Sequence, residues 1–174
     1  MDEPSLLRML KVYSNNRMRE AFMDTPELVT LLANPVLLKS FNALLNDHGD
    51  YQSIEGHYTL DDVIANFQQE KRRIVYFVLW TPDTIVFTSR MFLTPKTGFI
   101  TMVHTHDGYK RRGICSGAFN KIFKHLAEIT KWKLDVEKGN QAAIGCYTKM
   151  GFKATAKQPI PYAIIMTLTM RKNS

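Results

Sequence analysis

The sequence predicts an α/β fold built on a mixed, mostly antiparallel sheet with a parallel pair of strands at its middle. Three β-branched and aromatic runs are separated only by tight turns, which predicts an antiparallel three-strand meander. A succession of strand, helix, strand, helix and strand then follows, and a helix between two strands favours a parallel pair. The meander strands are predicted at Ile74–Trp80, Thr84–Leu93 and Phe99–Thr105.

The N-terminal part of the chain predicts one strand and three helices. Asp24 and the following Thr25-Pro26-Glu27 are typical of a helix start, because a carboxylate accepts from free backbone amides and proline suits the first turn. The predicted elements are a strand at Leu6–Tyr13, helices at Leu28–Leu32, Val36–Leu45 and from Thr59 to about Lys71, and a polar loop at His48–His57.

The C-terminal part predicts two helices among three strands. Ile114, Ala118, Ile122 and Leu126 recur at helical spacing and line one face. Asn140 is a typical N-cap for the second helix. The predicted elements are a helix at Gly113–Thr130, a strand at Lys133–Glu137, a helix at Asn140–Met150 and strands at Phe152–Ala156 and Tyr162–Met170.

Length and composition predict one domain, residues 1–174. Of the 174 residues, 45% are hydrophobic and 11% aromatic, which is enough to bury a core without a disulfide or metal. The apolar runs Ile74–Trp80 and Tyr162–Met166 are far shorter than the roughly 20 residues of a membrane span. The start, MDEPSLLRML, has acids where a signal peptide needs bases. Cys115 and Cys146 make neither a disulfide framework nor a zinc set. We therefore expect a cytoplasmic protein without a metal.

Most of the net charge of +7 lies in one segment. Between Tyr109 and Lys133 there are seven basic residues and one acid, Glu128, which gives this segment a net charge of +6. A local charge of this size suggests an anionic partner, namely a phosphate group, nucleic acid or a membrane surface. A solvated helix face would give the same pattern.

The basic segment begins at a predicted junction of strand, loop and helix, V-H-T-H-D-G-Y-K-R-R-G-I-C-S-G-A, which starts at Val103. A helix N-terminus presents unpaired backbone amides, which bind phosphate oxygens. Gly113 permits a close approach of the backbone, and Lys110, Arg111 and Arg112 add charge. The residues alone leave two interpretations open, a phosphate site and a basic helix start.

A second junction, L-D-V-E-K-G-N-Q-A-A-I-G-C-Y-T-K-M-G-F, starts at Leu134. Asn140, Ala143 and Tyr147 share one face of the predicted helix. Taken alone, they favour a structural interpretation, a capping asparagine and a tyrosine at the edge of the core.

Together the two junctions resemble the GNAT acetyltransferase superfamily over Val103–Phe152. The family's Q/R-x-x-G-x-G/A loop is matched by Lys110-Arg111-Arg112-Gly113-Ile114-Cys115, with Lys110 and Cys115 as departures. The resemblance implies a GNAT-like sheet with helices on both faces and acetyl-CoA as co-substrate. It implies a cofactor site formed by Val103, His104, Thr105, Lys110, Arg111, Arg112, Gly113, Ile114, Cys115, Ser116, Asn140, Ala143 and Tyr147.

The resemblance also implies roles for these residues. The backbone of Val103 and Thr105 would pair with the pantetheine amides, and the basic loop would hold the pyrophosphate. Tyr147 would be the catalytic acid that protonates the leaving CoA thiolate, since a phenol is protonated at neutral pH. Members of the family often carry a base earlier on the same strand, where this chain has Phe99 and Thr101. Neither of these two residues can act as a base. The candidate bases of this chain are His104, His106, Asp135 and Glu137, and a water relay is a further alternative.

The function expected from the resemblance is transfer of acetyl from acetyl-CoA to a primary amine, by direct attack in a ternary complex. The acceptor would be a polyamine, an antibiotic-like amine, or a lysine or N-terminal amine of a protein. The alternative is a non-catalytic CoA-binding or regulatory module. Nucleic-acid binding is disfavoured because no aromatic platform accompanies the charge, and a membrane partner is not expected. The oligomeric state is left open, with a homodimer as one alternative.

Overall fold

The computed structural model describes residues 18–46, 60–156 and 161–170, which form seven strands, five helices and one 3-10 turn. The strands are β1 (Arg19–Met23), β2 (Arg73–Trp80), β3 (Ile85–Leu93), β4 (Thr97–Thr105), β5 (Lys131–Glu137), β6 (Lys153–Ala154) and β7 (Ala163–Thr169). The helices are α1 (Thr25–Leu31), α2 (Pro35–Leu45), α3 (Leu60–Gln69), α4 (Ile114–His125) and α5 (Gln141–Lys149), and the 3-10 turn is Asp107–Tyr109.

The strands form one sheet in the order β1-β2-β3-β4-β5-β7-β6. Strands β2, β3 and β4 are the predicted antiparallel meander. The predicted parallel pair is β4 and β5, near the middle of the sheet. Strand β7 lies between β5 and β6 and is antiparallel to both. The α/β class and the mixed topology predicted from the sequence are therefore confirmed.

Helices cover both faces of the sheet, as the resemblance implied. On one face, named here the α4–α5 face, buried residues of α4 such as Phe119 pack with Tyr147 of α5 and with Phe77 of β2. On the other, the α1–α3 face, Leu28 of α1 and Phe41 of α2 pack against the opposite side of the sheet. No single described helix is long and apolar enough to cross a membrane, although α1 and α2, bent by 118°, pass that test as a pair.

Several predicted elements differ from the structure at their ends. The predicted helix Gly113–Thr130 ends at His125, because Leu126 and Ile129 turn into the core, each 2% exposed, and the amide of Lys131 bonds to Lys96 O. Strand β5 consequently starts two residues before the prediction, and β6 is shorter than the predicted Phe152–Ala156.

The edge strand β1 was not predicted at all. It is stabilised by its pairing with β2, a long-range interaction that its own residues do not indicate. The predicted strand Leu6–Tyr13 and the predicted loop His48–His57 lie outside the described residues.

The predicted helix start at Asp24 is a capping box in the structure. The Asp24 carboxylate accepts from the Glu27 amide at 2.9 Å, and the Glu27 carboxylate accepts from the Asp24 amide at 2.8 Å. We expect Asp24→Ala to lower the free energy of unfolding by about 1 kcal/mol, measured by urea denaturation. The exposed Lys39 of α2 makes no such cap, so an equal loss in Lys39→Ala would contradict this assignment.

Candidate functional site

A cleft opens in the sheet where β4 and β5 separate. The two strands pair only from Thr97 to Ile100 on β4 and from Lys131 to Leu134 on β5. Beyond these residues β4 pairs with β3 alone and β5 with β7 alone, among the described strands. Each strand therefore presents an open backbone edge to the cleft. Such edges bind extended ligands through main-chain hydrogen bonds.

A β-bulge in β4 lies at the opening of the cleft. Arg90 of β3 is paired with Thr101, but Thr88 is paired with His104, so β4 has one extra residue between these pairs. Met102 takes up the extra length with a φ of 51°, in the left-handed region that is uncommon for residues other than glycine. Bulges often lie beside active sites, because they redirect the side chains and backbone groups of a strand.

The basic loop connects β4 to the N-terminus of α4. Arg111 and Gly113 both have left-handed backbones, with φ values of 60° and 76°, and successive amides in such turns form a concave anion site. Lys110 forms an ion pair with Asp107 at 2.5 Å. The guanidinium of Arg112 lies 5.4 Å from the ring centre of Tyr109. Arg111 and Arg112 are both exposed and available to an anion.

The N-terminus of α4 lacks a side-chain cap. Its N-cap is Gly113, which makes no side-chain hydrogen bond to the helix. Asp24, Asn34 and Asn140, by contrast, cap α1, α2 and α5 with their own side chains. The first amides of α4 are thus open to a ligand, and the helix dipole favours an anion there. This arrangement supports the phosphate interpretation of the junction over a merely basic helix start.

Helix α5 brings Tyr147 to the same face as α4. The predicted cap is confirmed, because Asn140 Oδ1 accepts from the Ala143 amide at 3.0 Å. The Tyr147 ring is 6% exposed and packs against Phe119 and Phe152, with ring centres 5.7 and 6.0 Å away. Burial raises the pKa of the Tyr147 phenol well above its ordinary value, with smaller contributions from the nearby cysteines and Asp135. The phenol is therefore a neutral proton donor at physiological pH.

The two cysteines join α4 to α5. The thiols of Cys115 and Cys146 are hydrogen-bonded to each other, which raises the pKa of Cys115 and lowers that of Cys146. Both are free thiols. The Cys115 side chain is directed at α5, so its extra bulk relative to the family's glycine or alanine is accommodated between the helices.

The candidate bases lie at different places in the structure. His106 Nδ1 accepts from the Gly108 amide at 3.2 Å, so this histidine shapes the loop. His104 lies on the α1–α3 face of β4, opposite Thr88. Asp135 is exposed on the separated part of β5, near enough to Tyr147 to affect its pKa. No group of three or more His, Cys, Asp or Glu residues is placed to hold a metal ion within residues 18–46, 60–156 and 161–170.

Residues 41–152, more than half of the sequence, match the family model for the acetyltransferase (GNAT) family. The chain belongs to the acetyltransferase (GNAT) family. The protein is thus an acyltransferase of a family whose members use acetyl-CoA, as the two sequence junctions predicted. The open strand edges and the uncapped α4 fit such a cofactor, since CoA carries both amides and phosphates.

Solved structures of GNAT proteins share the fold. An acetyltransferase from Streptococcus agalactiae is 16% identical with a TM-score of 0.64, over 88% of this chain and 98% of its own. The ribosomal-protein-S18-alanine N-acetyltransferase of Escherichia coli also has 16% identity and a TM-score of 0.64, with coverages of 90% and 98%. The PaiA N-acetyltransferase of Thermoplasma acidophilum, solved with coenzyme A, has 16% identity and a TM-score of 0.63, with coverages of 87% and 98%. No curated protein matches the sequence.

One polar residue beside the cleft of this GNAT chain was not singled out from the sequence. Arg90 is the one charged residue of β3, in a strand whose other residues are apolar or small and uncharged. It is 9% exposed and bonds to Thr101 at the end of the β4–β5 pairing. A lone charge within an otherwise uncharged strand was the signal that could have identified it.

Proposed function

We propose that the protein transfers acetyl from acetyl-CoA to a primary amine by direct attack within a ternary complex. The observation that carries the proposal is the open edge of β4, and two further features support it. The two supporting features are the uncapped N-terminus of α4, which follows β4 in the chain, and the buried phenol of Tyr147. Each suits a different part of the cofactor, namely the pantetheine, the pyrophosphate and the sulfur.

The chain's own groups would hold the cofactor at these three places. The backbone of Val103 and Thr105 would pair with pantetheine amides along the open edge of β4. The amides of Gly113 to Ser116, with Arg111 and Arg112, would bind the pyrophosphate oxygens. Lys110 would contribute less, because its ammonium is already paired with Asp107. Acetyl-CoA supplies the activated acyl group as a thioester.

In the reaction the amine nitrogen forms a bond to the acetyl carbon, and the carbon–sulfur bond breaks. A backbone amide of the Val103–Thr105 segment would donate to the acetyl oxygen as negative charge develops there. Tyr147 would give its proton to the departing thiolate, and the proton lost by the amine would pass to water or to a nearby base. Members of the family often carry this base on the same strand, but the residues at those positions here, Phe99 and Thr101, cannot accept a proton. We therefore assign this last step to neither of them.

Cofactor binding tests the proposal most directly. Titration calorimetry with acetyl-CoA is expected to show one saturable site, and Arg111→Gln and Arg112→Gln should each weaken binding by about 5- to 30-fold, since a charge-assisted hydrogen bond contributes about 1–2 kcal/mol. The loss should shrink at high salt because exposed charges are screened.

Lys131→Gln is the matched control for these variants. Lys131 belongs to the same basic segment but lies at the start of β5, at the end of the strand remote from the cleft. Its replacement should leave the affinity unchanged, whereas an equal loss in all three variants would indicate a diffuse charge effect. Saturable binding without CoA release over a panel of amines would favour a non-catalytic module instead.

A further inference from the structure

Arg90 places a buried cation in the middle of β3. Its side chain is 9% exposed, and its Nε donates to Thr101 Oγ1 at 3.1 Å. The guanidinium lies 4.7 Å from the ring centre of Phe92. Burying a guanidinium is costly unless its donors are paired, and one hydroxyl and one aromatic face compensate only part of that cost.

The position of Arg90 relates it to the reaction. Thr101 is the first residue of β4 beyond the pairing with β5, so the guanidinium lies where the cleft opens. It is on the α1–α3 face, because its cross-strand neighbour Tyr76 belongs to the core of that face. The opposite face of the sheet carries α4 and Tyr147, and the basic loop leads into α4. An acceptor that does not displace the cofactor would therefore approach from the side of Arg90.

The charge of Arg90 is not neutralised by a carboxylate in the described part of the chain. A second guanidinium, that of Arg72, lies 4.5 Å from the centre of the same Phe92 ring. Glu70 forms an ion pair with Arg72 at 2.6 Å and is thereby engaged. Among the described residues, the only hydrogen bond that the Arg90 side chain makes is the one from Nε to Thr101, so neither terminal NH₂ group has an acceptor there.

We propose that Arg90 binds a carboxylate of the acceptor, so that the substrate class is a small amine that also carries a carboxylate. The inference rests on the proposed acetyl transfer and deepens it. Two coplanar NH₂ groups match a carboxylate in a bidentate contact, and a single buried cation balances one negative charge, which favours a carboxylate over a doubly charged phosphate. A polyamine would meet like-charge repulsion at the same place.

Matched pairs of acceptors test this inference. Glycine, β-alanine and 4-aminobutanoate are compared with the carboxamide of each, and 2-aminoethylphosphonate and spermidine complete the panel. We expect kcat/KM to be at least 10-fold higher for the best carboxylate than for its carboxamide. Equal values within every pair, or a preference for the phosphonate or spermidine, would overturn the inference.

Two variants test whether the preference for a carboxylate comes from Arg90. Arg90→Met keeps most of the length of the side chain without its charge, and it leaves no buried carboxylate of the described residues unpaired. It should lower kcat/KM for the carboxylates far more than for their carboxamides and so abolish the preference for the carboxylate. Arg72→Met, which removes the other guanidinium on Phe92, should retain the preference. A uniform loss over all acceptors in Arg90→Met would show a structural role only.

A binding measurement separates this inference from the proposed function. With CoA bound, the side-chain Nε–H signal of Arg90 in ¹⁵N NMR should shift on addition of the carboxylates and remain unchanged with the carboxamides. That result would support the carboxylate site even if no acceptor were acetylated. The absence of any shift would overturn it, whereas failure of acetyl transfer itself appears separately, as missing CoA release.

Discussion

Replacing Tyr147 with phenylalanine is expected to lower kcat by about 100-fold or more, the usual effect of losing a general acid, and to leave the affinity for CoA nearly unchanged. Phenylalanine keeps the ring contacts with Phe119 and Phe152, so the packing of α5 should persist. Only the proton donor is removed. Single-turnover measurement of CoA release, with calorimetry of CoA binding, checks both parts of this expectation.

Tyr162→Phe is the control for the loss of a hydroxyl, because Tyr162 is 63% exposed and lies just before β7. It should retain full activity. The raised pKa of Tyr147 also predicts that the protonated acid persists up to and beyond pH 10, so kcat should show no alkaline loss from this group below that pH. A collapse of CoA affinity in Tyr147→Phe would instead identify Tyr147 as a packing residue.

Gly98→Ala is expected to destabilise the fold by about 3 kcal/mol, at the upper end of the range for overpacked cores. A Cβ at this position would lie 2.2 Å from Cζ3 and 2.4 Å from Cε3 of Trp132. Trp132 is fully buried and packs on Phe123, with ring centres 5.3 Å apart, so the indole has no room to withdraw. Thermal unfolding should show a fall in Tm of about 6–12 °C.

Gly145→Ala provides the matched control. A Cβ at Gly145 meets no atom within 4 Å, and alanine in the interior of α5 should raise stability by about 0.5–1 kcal/mol. Trp132→Leu combined with Gly98→Ala should recover part of the loss, since the two positions are in contact and their effects are coupled. Wild-type stability of Gly98→Ala alone would show that β4 and β5 separate more easily than their packing indicates.

The features that could be predicted from the sequence are those with local signals. The meander follows from apolar runs and turn residues that are close in sequence. The Asn140 cap depends on contacts within three residues, as does the open start of α4 at Gly113. The basic loop also has a local signal, because its charged residues and its glycine are adjacent in the sequence.

The features that escaped prediction depend on partners distant in sequence. The cleft exists because β4 leaves β5 after Ile100, and the bulge at Met102 depends on its alignment with β3. Neither strand shows this in its own residues. The contact of Arg90 with Thr101 joins two strands that are eleven residues apart at these positions, and only the folded register brings them together.

The short contact between β4 and β5 divides the sheet mechanically into two half-sheets, β1–β4 and β5–β7. Among the described residues, their backbones are connected by Thr97–Ile100 and by the bonds of the Thr130 and Lys131 amides to Lys96 O. Helix α4 bridges the halves through the core and through the ion pair of Lys121 with Glu20 of β1. A ligand that lies along the open edge of β4 would supply the missing backbone partners and brace the halves against each other. The free energy of binding would then also resist separation of the halves, and at a ligand concentration of 100 Kd it adds about 2.7 kcal/mol to the stability of the folded state.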